Sequence, residues 1–123
     1  MDIVLNHSNE KPIYAQIYSQ ISSQILSGSL KSGTQLPSIR AIASELRISI
    51  IPVKMAWEKL DRKGFIKTIT GKGTFVAEIS SSELQQKANL QLQELAQETI
   101  KKAQDINISI DDLFECCKSL LQG

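Results

Sequence analysis

Apolar positions in the first sixty residues repeat with a helical period. Ile13, Ile17, Ile21 and Ile25 recur every fourth residue, and Tyr14, Tyr18 and Leu26 widen the stripe. That spacing predicts a helix with one buried face. Pro12 opens it, where a missing N–H costs little, and Gly28 supplies its stop. Gly33-Thr34-Gln35-Leu36-Pro37 then makes a turn-rich connection, with Leu30 and Leu36 as core plugs. Ser38 is a good N-cap for a short second helix whose Ile42, Ala43 and Leu46 face inward. Arg47-Ile48-Ser49 fits the turn between paired helices. A third helix carries Val53, Ala56, Trp57 and Leu60 at helical spacing and ends near Gly64. Trp57 reads as a core anchor, with a partner expected for its indole N–H if it is fully buried.

The pattern then changes. Phe65–Ile69 and Thr74–Ala77 read as strands, and Thr70-Gly71-Lys72-Gly73 supplies the glycines of a hairpin tip. A two-stranded hairpin is marginal in water, so Phe65, Ile66 and Phe75 are expected to pack on the helices. After Ser80-Ser81-Ser82, a long helix follows, with Leu84, Ala88, Leu92, Leu95, Ala96, Thr99 and Ala103 on one face. Asp105-Ile106-Asn107-Ile108 breaks it. Ser109 caps a last helix, with Asp111 and Asp112 well placed in its first turn. Ile110, Leu113, Phe114, Cys117, Leu120 and Leu121 form the apolar stripe of that helix.

Two short helices followed by a tight β-hairpin are the layout of a winged helix-turn-helix, which places one helix in a DNA major groove. The expected fold class is α+β, mainly α: a winged helix-turn-helix over residues 1–77, then an antiparallel helical hairpin over 78–123. The hairpin carries more apolar surface than two helices can hide from water. It packs on the winged domain, on a second copy, or on both. The homodimer is favoured, because one winged helix reads few base pairs and two copies meet half-sites about one DNA turn (~34 Å) apart. The expected dimerisation residues are Leu84, Ala88, Leu92, Leu95, Leu113, Phe114, Cys117, Leu120 and Leu121.

Charge sharpens this picture. The net charge of +1 over 123 residues conceals an asymmetry: residues 1–77 carry ten Lys/Arg against five acids, or +5, and residues 78–123 carry four Lys against eight acids, or −4. A polyanion is attracted to the first part and repelled by the second. No apolar run approaches the ~18–20 residues of a membrane span, and Met1-Asp2-Ile3-Val4-Leu5-Asn6-His7 lacks the pattern of a secretory signal. A cytoplasmic location is the expectation. The adjacent Cys116 and Cys117 cannot staple distant segments. His7 is the sole histidine, so no metal, cofactor or catalytic relay is expected. Cys117 is expected to pack as a small apolar residue, with Cys116 partly exposed. Gly71-Lys72-Gly73-Thr74 lacks the spacing of a P-loop, and no nucleophile–base pair suggests an enzyme.

Several ordered motifs add a resemblance. They are Pro12-Ile13-Tyr14-x-Gln16-Ile17, Ile25-x-x-Gly28-x-Leu30-x-x-Gly33-x-x-Leu36-Pro37-Ser38-x-Arg40, Ile48-Ser49-x-x-x-Val53 and Gly71-x-Gly73-Thr74-Phe75-Val76. The run from Pro12 to Val76 strongly resembles the N-terminal domain of GntR-family transcription regulators, and the short two-helix tail resembles the YtrA-like subfamily. The resemblance implies a homodimeric repressor of its own operon, often with ABC-transporter genes, bound to a double-stranded DNA operator. It places Ser38, Arg40, Ser49, Ile50, Ile51, Lys54, Lys72 and Gly73 at the DNA, with Arg40 suited to a bidentate guanine contact.

One departure stands out. Where the family commonly has polar or basic residues, this chain has Ile50-Ile51-Pro52. Pro52 disfavours a helical Ile51, so the third helix is expected to start late, with Pro52 first. Readout would then lean on Arg40, thymine-methyl contacts from Ile50 or Ile51, and DNA shape. The competing function is a protein-interaction or redox-sensing module with a vestigial winged helix and weak, non-specific DNA binding. A small-molecule effector stays open.

Overall fold

The computed structural model describes residues 1–8 and 10–123. Its elements run α1 (Ile13–Leu26), α2 (Ile39–Leu46), α3 (Ile50–Arg62), β1 (Ile66–Ile69), β2 (Gly73–Val76), α4 (Ser81–Asp105) and α5 (Ile110–Gln122). They form two compact units, Met1–Ser81 and Ser82–Gly123. No helix among the described residues is long and apolar enough to cross a membrane.

In the first unit, α1 and α2 pack on α3, which also touches β1. The fourfold isoleucine repeat of α1 puts Ile17, Ile21 and Ile25 in the core, together with Val53, Ala56, Trp57 and Leu60 of α3, the helix it packs on. Ile42 and Ala43 of α2, with Leu30, Leu36, Phe65, Ile66 and Val76, complete it. Each fully buried aliphatic side chain contributes about 1.5–3 kcal/mol relative to exposure. Tyr18 meets Phe65 edge-to-face at 6.2 Å, and the Lys59 ammonium lies 4.3 Å from the centre of the tyrosine ring. Phe75, expected to pack on the helices, is half-buried.

The strands pair antiparallel in a register from Ile66↔Val76 to Ile69↔Gly73. Residues 33–36, read above as a turn-rich connection, line the other edge of β2. Gly33 N–H donates to Val76 O at 2.9 Å, Val76 N–H to Thr34 O at 2.8 Å and Leu36 N–H to Thr74 O at 2.8 Å. The short connection therefore satisfies the backbone groups that β2 would otherwise leave unpaired.

Pro12 is the N-cap of α1 rather than its first helical residue. Helix α1 also holds the N-terminal arm through a ladder of glutamines. Gln16 Oε1 accepts from Asn6 N–H at 2.9 Å, and its Nε2 donates to Asn6 O and Lys11 O. Gln20 makes the same two-way contact with Val4, and Gln24 Nε2 donates to Asp2 O at 2.8 Å. Four residues of helix rise ~6 Å and two residues of extended chain ~6.8 Å. Glutamines four apart thus meet every second residue of the arm. Met1 and Ile3 of the arm line a small cleft together with Ile42, Glu45 and Leu46 of α2.

In the second unit, α4 turns into α5 through Asn107, which takes the left-handed conformation at φ 59°. Ile108 N–H donates to Ala103 O at 2.8 Å, and Ser109 caps α5 by accepting from Asp112 N–H at 3.1 Å. Ala103 is buried, and no residue of α5 is. Open apolar grooves flank the helix pair. One of about 410 Å³ includes Ala103, Ile106, Ile108 and Cys116. Another of about 280 Å³ includes Leu92, Leu95, Ile110, Phe114 and Cys117. The exposed ion pairs along these helices, such as Lys102–Glu98 at 3.2 Å, contribute little.

The glutamine ladder generates a graded prediction. Gln16 is buried and makes three hydrogen bonds, each worth a net ~0.5–1.5 kcal/mol. Gln16→Ala should lower unfolding free energy in urea by about 2–3 kcal/mol, whereas Gln20→Ala, whose bonds are exposed, should cost less than ~1 kcal/mol. Equal losses would show that the ladder does not act through burial.

Candidate nucleic-acid interface

Two serines begin the paired helices, and they behave differently. Ser38 caps α2: its Oγ accepts from Ala41 N–H at 3.1 Å, three residues on. Ser49 stands at the same place before α3 but makes no side-chain cap bond. The residue three positions on is Pro52, which has no N–H to give. The Ser49 hydroxyl is thus left available to an outside acceptor or donor.

The expected late start of α3 is not what the structure shows. Ile50 and Ile51 are its first two helical residues, and Pro52 is the third. A proline there loses only one of the N–H groups that no helix satisfies at its start. The carbonyl that its ring would crowd belongs to Ile48, outside the helix. The bias against a helical residue before proline gives way because α3 is anchored by Val53, Ala56, Trp57 and Leu60, all buried.

That anchoring decides what α3 shows to solvent. Ile50 is 42% exposed, Ile51 68% and Met55 43%, with Lys54 exposed between them. Ile51 and Met55 are four apart and share an outer face. Met55 was not singled out from the sequence; its i+4 relation to Ile51, off the buried stripe, is the signal that identifies it. Between α2 and α3 the chain turns at Arg47, a non-glycine residue in the left-handed region at φ 58°. Its N–H donates to Ser44 O at 3.2 Å, and Ile48 N–H donates to Ala43 O at 3.0 Å.

Arg40, the second residue of α2, is exposed. Among the described residues no ion pair engages it, and in particular none to Glu45. Its guanidinium therefore keeps its full set of donors for a ligand. An open groove of about 380 Å³ connects this helix start to the wing and is lined by Gln35, Pro37, Ser38, Arg40, Trp57 and Gly73 among others. Trp57 is 5% exposed, a core residue with an edge in that groove.

The wing tip, Thr70-Gly71-Lys72, is exposed throughout. Gly71 takes φ +80° and Gly73 φ +121°, values that favour glycine. The absent side chain of Gly73 makes room for a neighbour within the protein. A Cβ built there would lie 2.7 Å from Gln35 Nε2, and that same amide donates to Lys72 O at 3.0 Å. Gln35 was likewise not singled out from the sequence.

The other expected site residues lie on the helical hairpin. Leu84, Ala88 and Leu113 are half-buried, whereas Leu92, Leu95, Phe114, Leu120 and Leu121 are exposed. Cys117 departs from expectation: both cysteines are free and exposed. The reason is geometric. Helix α5 buries no residue, so its apolar stripe gives Cys117 a groove wall and no enclosing core.

Comparison with known proteins agrees with this fold. The sequence model of bacterial regulatory proteins of the gntR family matches residues 13–76. Over 118 residues the chain is 29% identical to the HTH-type transcriptional repressor YtrA of Bacillus subtilis, covering 96% of this chain and 91% of that protein. The crystal structure of a transcriptional antiterminator from Listeria monocytogenes superposes with a TM-score of 0.77 at 28% identity, over 98% of this chain and 90% of that one. The AraR DNA-binding domain in complex with operator ORX1 superposes with a TM-score of 0.54 at 25% identity, over 63% of this chain and 96% of that one. The family match spans the three core helices and both wing strands, and the likeness to YtrA continues through the helical hairpin. This chain belongs to the GntR family of bacterial regulatory proteins, in its YtrA-like subfamily.

Proposed function

We propose that the chain is a homodimeric repressor of its own operon, with residues 1–77 on operator DNA and the hairpin of residues 78–123 joining two copies. The observation that carries the DNA contact is Arg40, exposed at the start of α2 without an acidic partner among the described residues. Lys54, Ile51 and Met55 extend the same reading along α3, and Lys72 extends it to the wing. Arg40 reads guanine by paired hydrogen bonds, and Ile50 or Ile51 meets thymine methyls. Ser49 and Lys72 hold phosphate, since such contacts position the protein without specifying sequence. The acidic balance of the hairpin keeps that half off the phosphate backbone.

The dimer reading is supported by exposed Leu95 (60%) and Phe114 (58%) beside one apolar groove. Burying such side chains is worth about 1.5–3 kcal/mol each, which a second copy supplies. The exposure of both thiols favours one further reading, redox control through Cys116 or Cys117 across that interface. A Cys116→Ser, Cys117→Ser variant that matches the native chain's DNA affinity in oxidant and in reductant disposes of it.

Fluorescence anisotropy with a duplex from upstream of the gene, against a scrambled duplex, tests the DNA contact. Arg40→Ala should weaken binding to the native duplex by roughly 1–3 kcal/mol and narrow its lead over the scrambled one. Lys72→Ala should weaken both alike and lower the salt slope by about one. Equal, weak binding of the native chain to both duplexes contradicts sequence-specific repression. For the dimer, sedimentation equilibrium of the native chain should give twice 13.6 kDa, and Phe114→Glu should give the monomer. A native chain that sediments as a monomer at the concentrations where it binds DNA refutes the two-copy reading.

A further inference from the structure

The wing is a hairpin of four-residue strands, below the size that is stable by itself. Its root is well held. Residues 33–36 bond to β2 at Thr74 and Val76, and Ile66 and Val76 are buried. Beyond Thr74 the support changes in kind. Thr70 to Gly73 are exposed, and Lys72 N–H closes the tip on Ile69 O at 2.9 Å, a contact internal to the hairpin. What ties the tip to the body is the side chain of Gln35, whose Nε2 donates to Lys72 O at 3.0 Å. The backbone of Gln35 is itself bridged to Phe75, so the amide projects from an anchored base.

We infer that Gln35 is a positioning residue for DNA binding: its carboxamide sets the angle of the wing and thereby the place of the Lys72 ammonium. The inference rests on the DNA-binding reading above and names a residue in it that need not touch DNA. Gln35 and Gly73 are complementary parts of the device. The amide occupies the space where a Cβ on residue 73 would stand, so the left-handed glycine makes room for the tether as well as for the turn. The chemistry requires a donor at that reach. A carboxylate would set acceptor against acceptor at Lys72 O, and a methyl would leave the carbonyl to water.

Losing this bond should loosen the tip without unfolding the protein, because the buried core is untouched. Pre-organisation of the binding surface is then what is lost. The test combines amide hydrogen exchange on the free protein with a double-mutant cycle on DNA. Gln35→Ala should keep the native melting temperature within a few degrees yet speed exchange at the Lys72 amide. Gln35→Glu should do the same, whereas Gln35→Arg, which restores a donor of sufficient reach, should return exchange toward the native rate. On DNA, Gln35→Ala should weaken binding by about two- to tenfold, the scale of one hydrogen bond. In a Lys72→Ala background the same change should have almost no further effect.

Unchanged exchange at Lys72 in Gln35→Ala overturns the inference. So does an affinity loss fully additive with Lys72→Ala, which would mean that Gln35 contacts DNA itself. If the native chain binds neither duplex, the DNA-binding reading fails on its own, and the exchange data still decide whether Gln35 holds the wing.

Discussion

The packing of α1 against α3 is the constraint on which the first unit depends. Ile17, Ile21 and Ile25 of α1 and Val53, Ala56, Trp57 and Leu60 of α3 are all buried where these helices pack, and burial of those four sets the rotation of α3. Ile51, Lys54 and Met55 must then face outward. The same core holds α2 through Ile42 and Ala43, which leaves Arg40 at an exposed helix start. The surface read as the DNA face is thus the remainder after the apolar stripes have been buried. A cavity in the core, as from Leu60→Ala at about 2–5 kcal/mol, would disturb the interface without touching it.

Much of this was legible in the sequence because hydrophobic period is a strong local signal. The isoleucine repeat of α1, the Ser38 and Ser109 caps and the glycine-rich wing tip each required only neighbouring residues. What sequence reasoning got wrong or missed depends on tertiary context. Pro52 was expected to delay α3, but its cost vanishes within the first helical turn, and the buried face of α3 overrides the bias on Ile51. Cys117 was expected inside because its stripe is apolar, yet α5 has no core to enter. No structural role was read for Gln35, which fell in a turn-rich connection, for Gln16, which fell in a family motif, or for Gln20 and Gln24. Their roles lie in contacts with Lys72 and with the N-terminal arm, 37 and 10 to 22 residues away in sequence, which no local pattern predicts.

The two units also solve the problem of small size in different ways. Met1–Ser81 closes a core and adds polar fasteners, the glutamine ladder and the wing tether, where the core does not reach. Ser82–Gly123 closes almost nothing: it buries Ala103, half-buries Leu84 and Leu113, and leaves Leu90, Leu92, Leu95, Leu120, Leu121 and Phe114 to water. A pair of helices with that much exposed apolar surface has little core of its own, and the proposed second copy would supply the missing cover. This contrast is why the DNA contact and the joining of copies are assigned to separate parts of the chain.

The most direct test of the central claim is amide and methyl shift mapping by NMR as a duplex from upstream of the gene is titrated into the labelled protein. The account predicts that perturbations cluster at Ser38–Arg40, Ser49–Met55 and Thr70–Gly73, with the Ile51 methyls among the largest and α1 little changed. Perturbations confined to residues 82–123, or spread along α1 with α3 and the wing untouched, would contradict it.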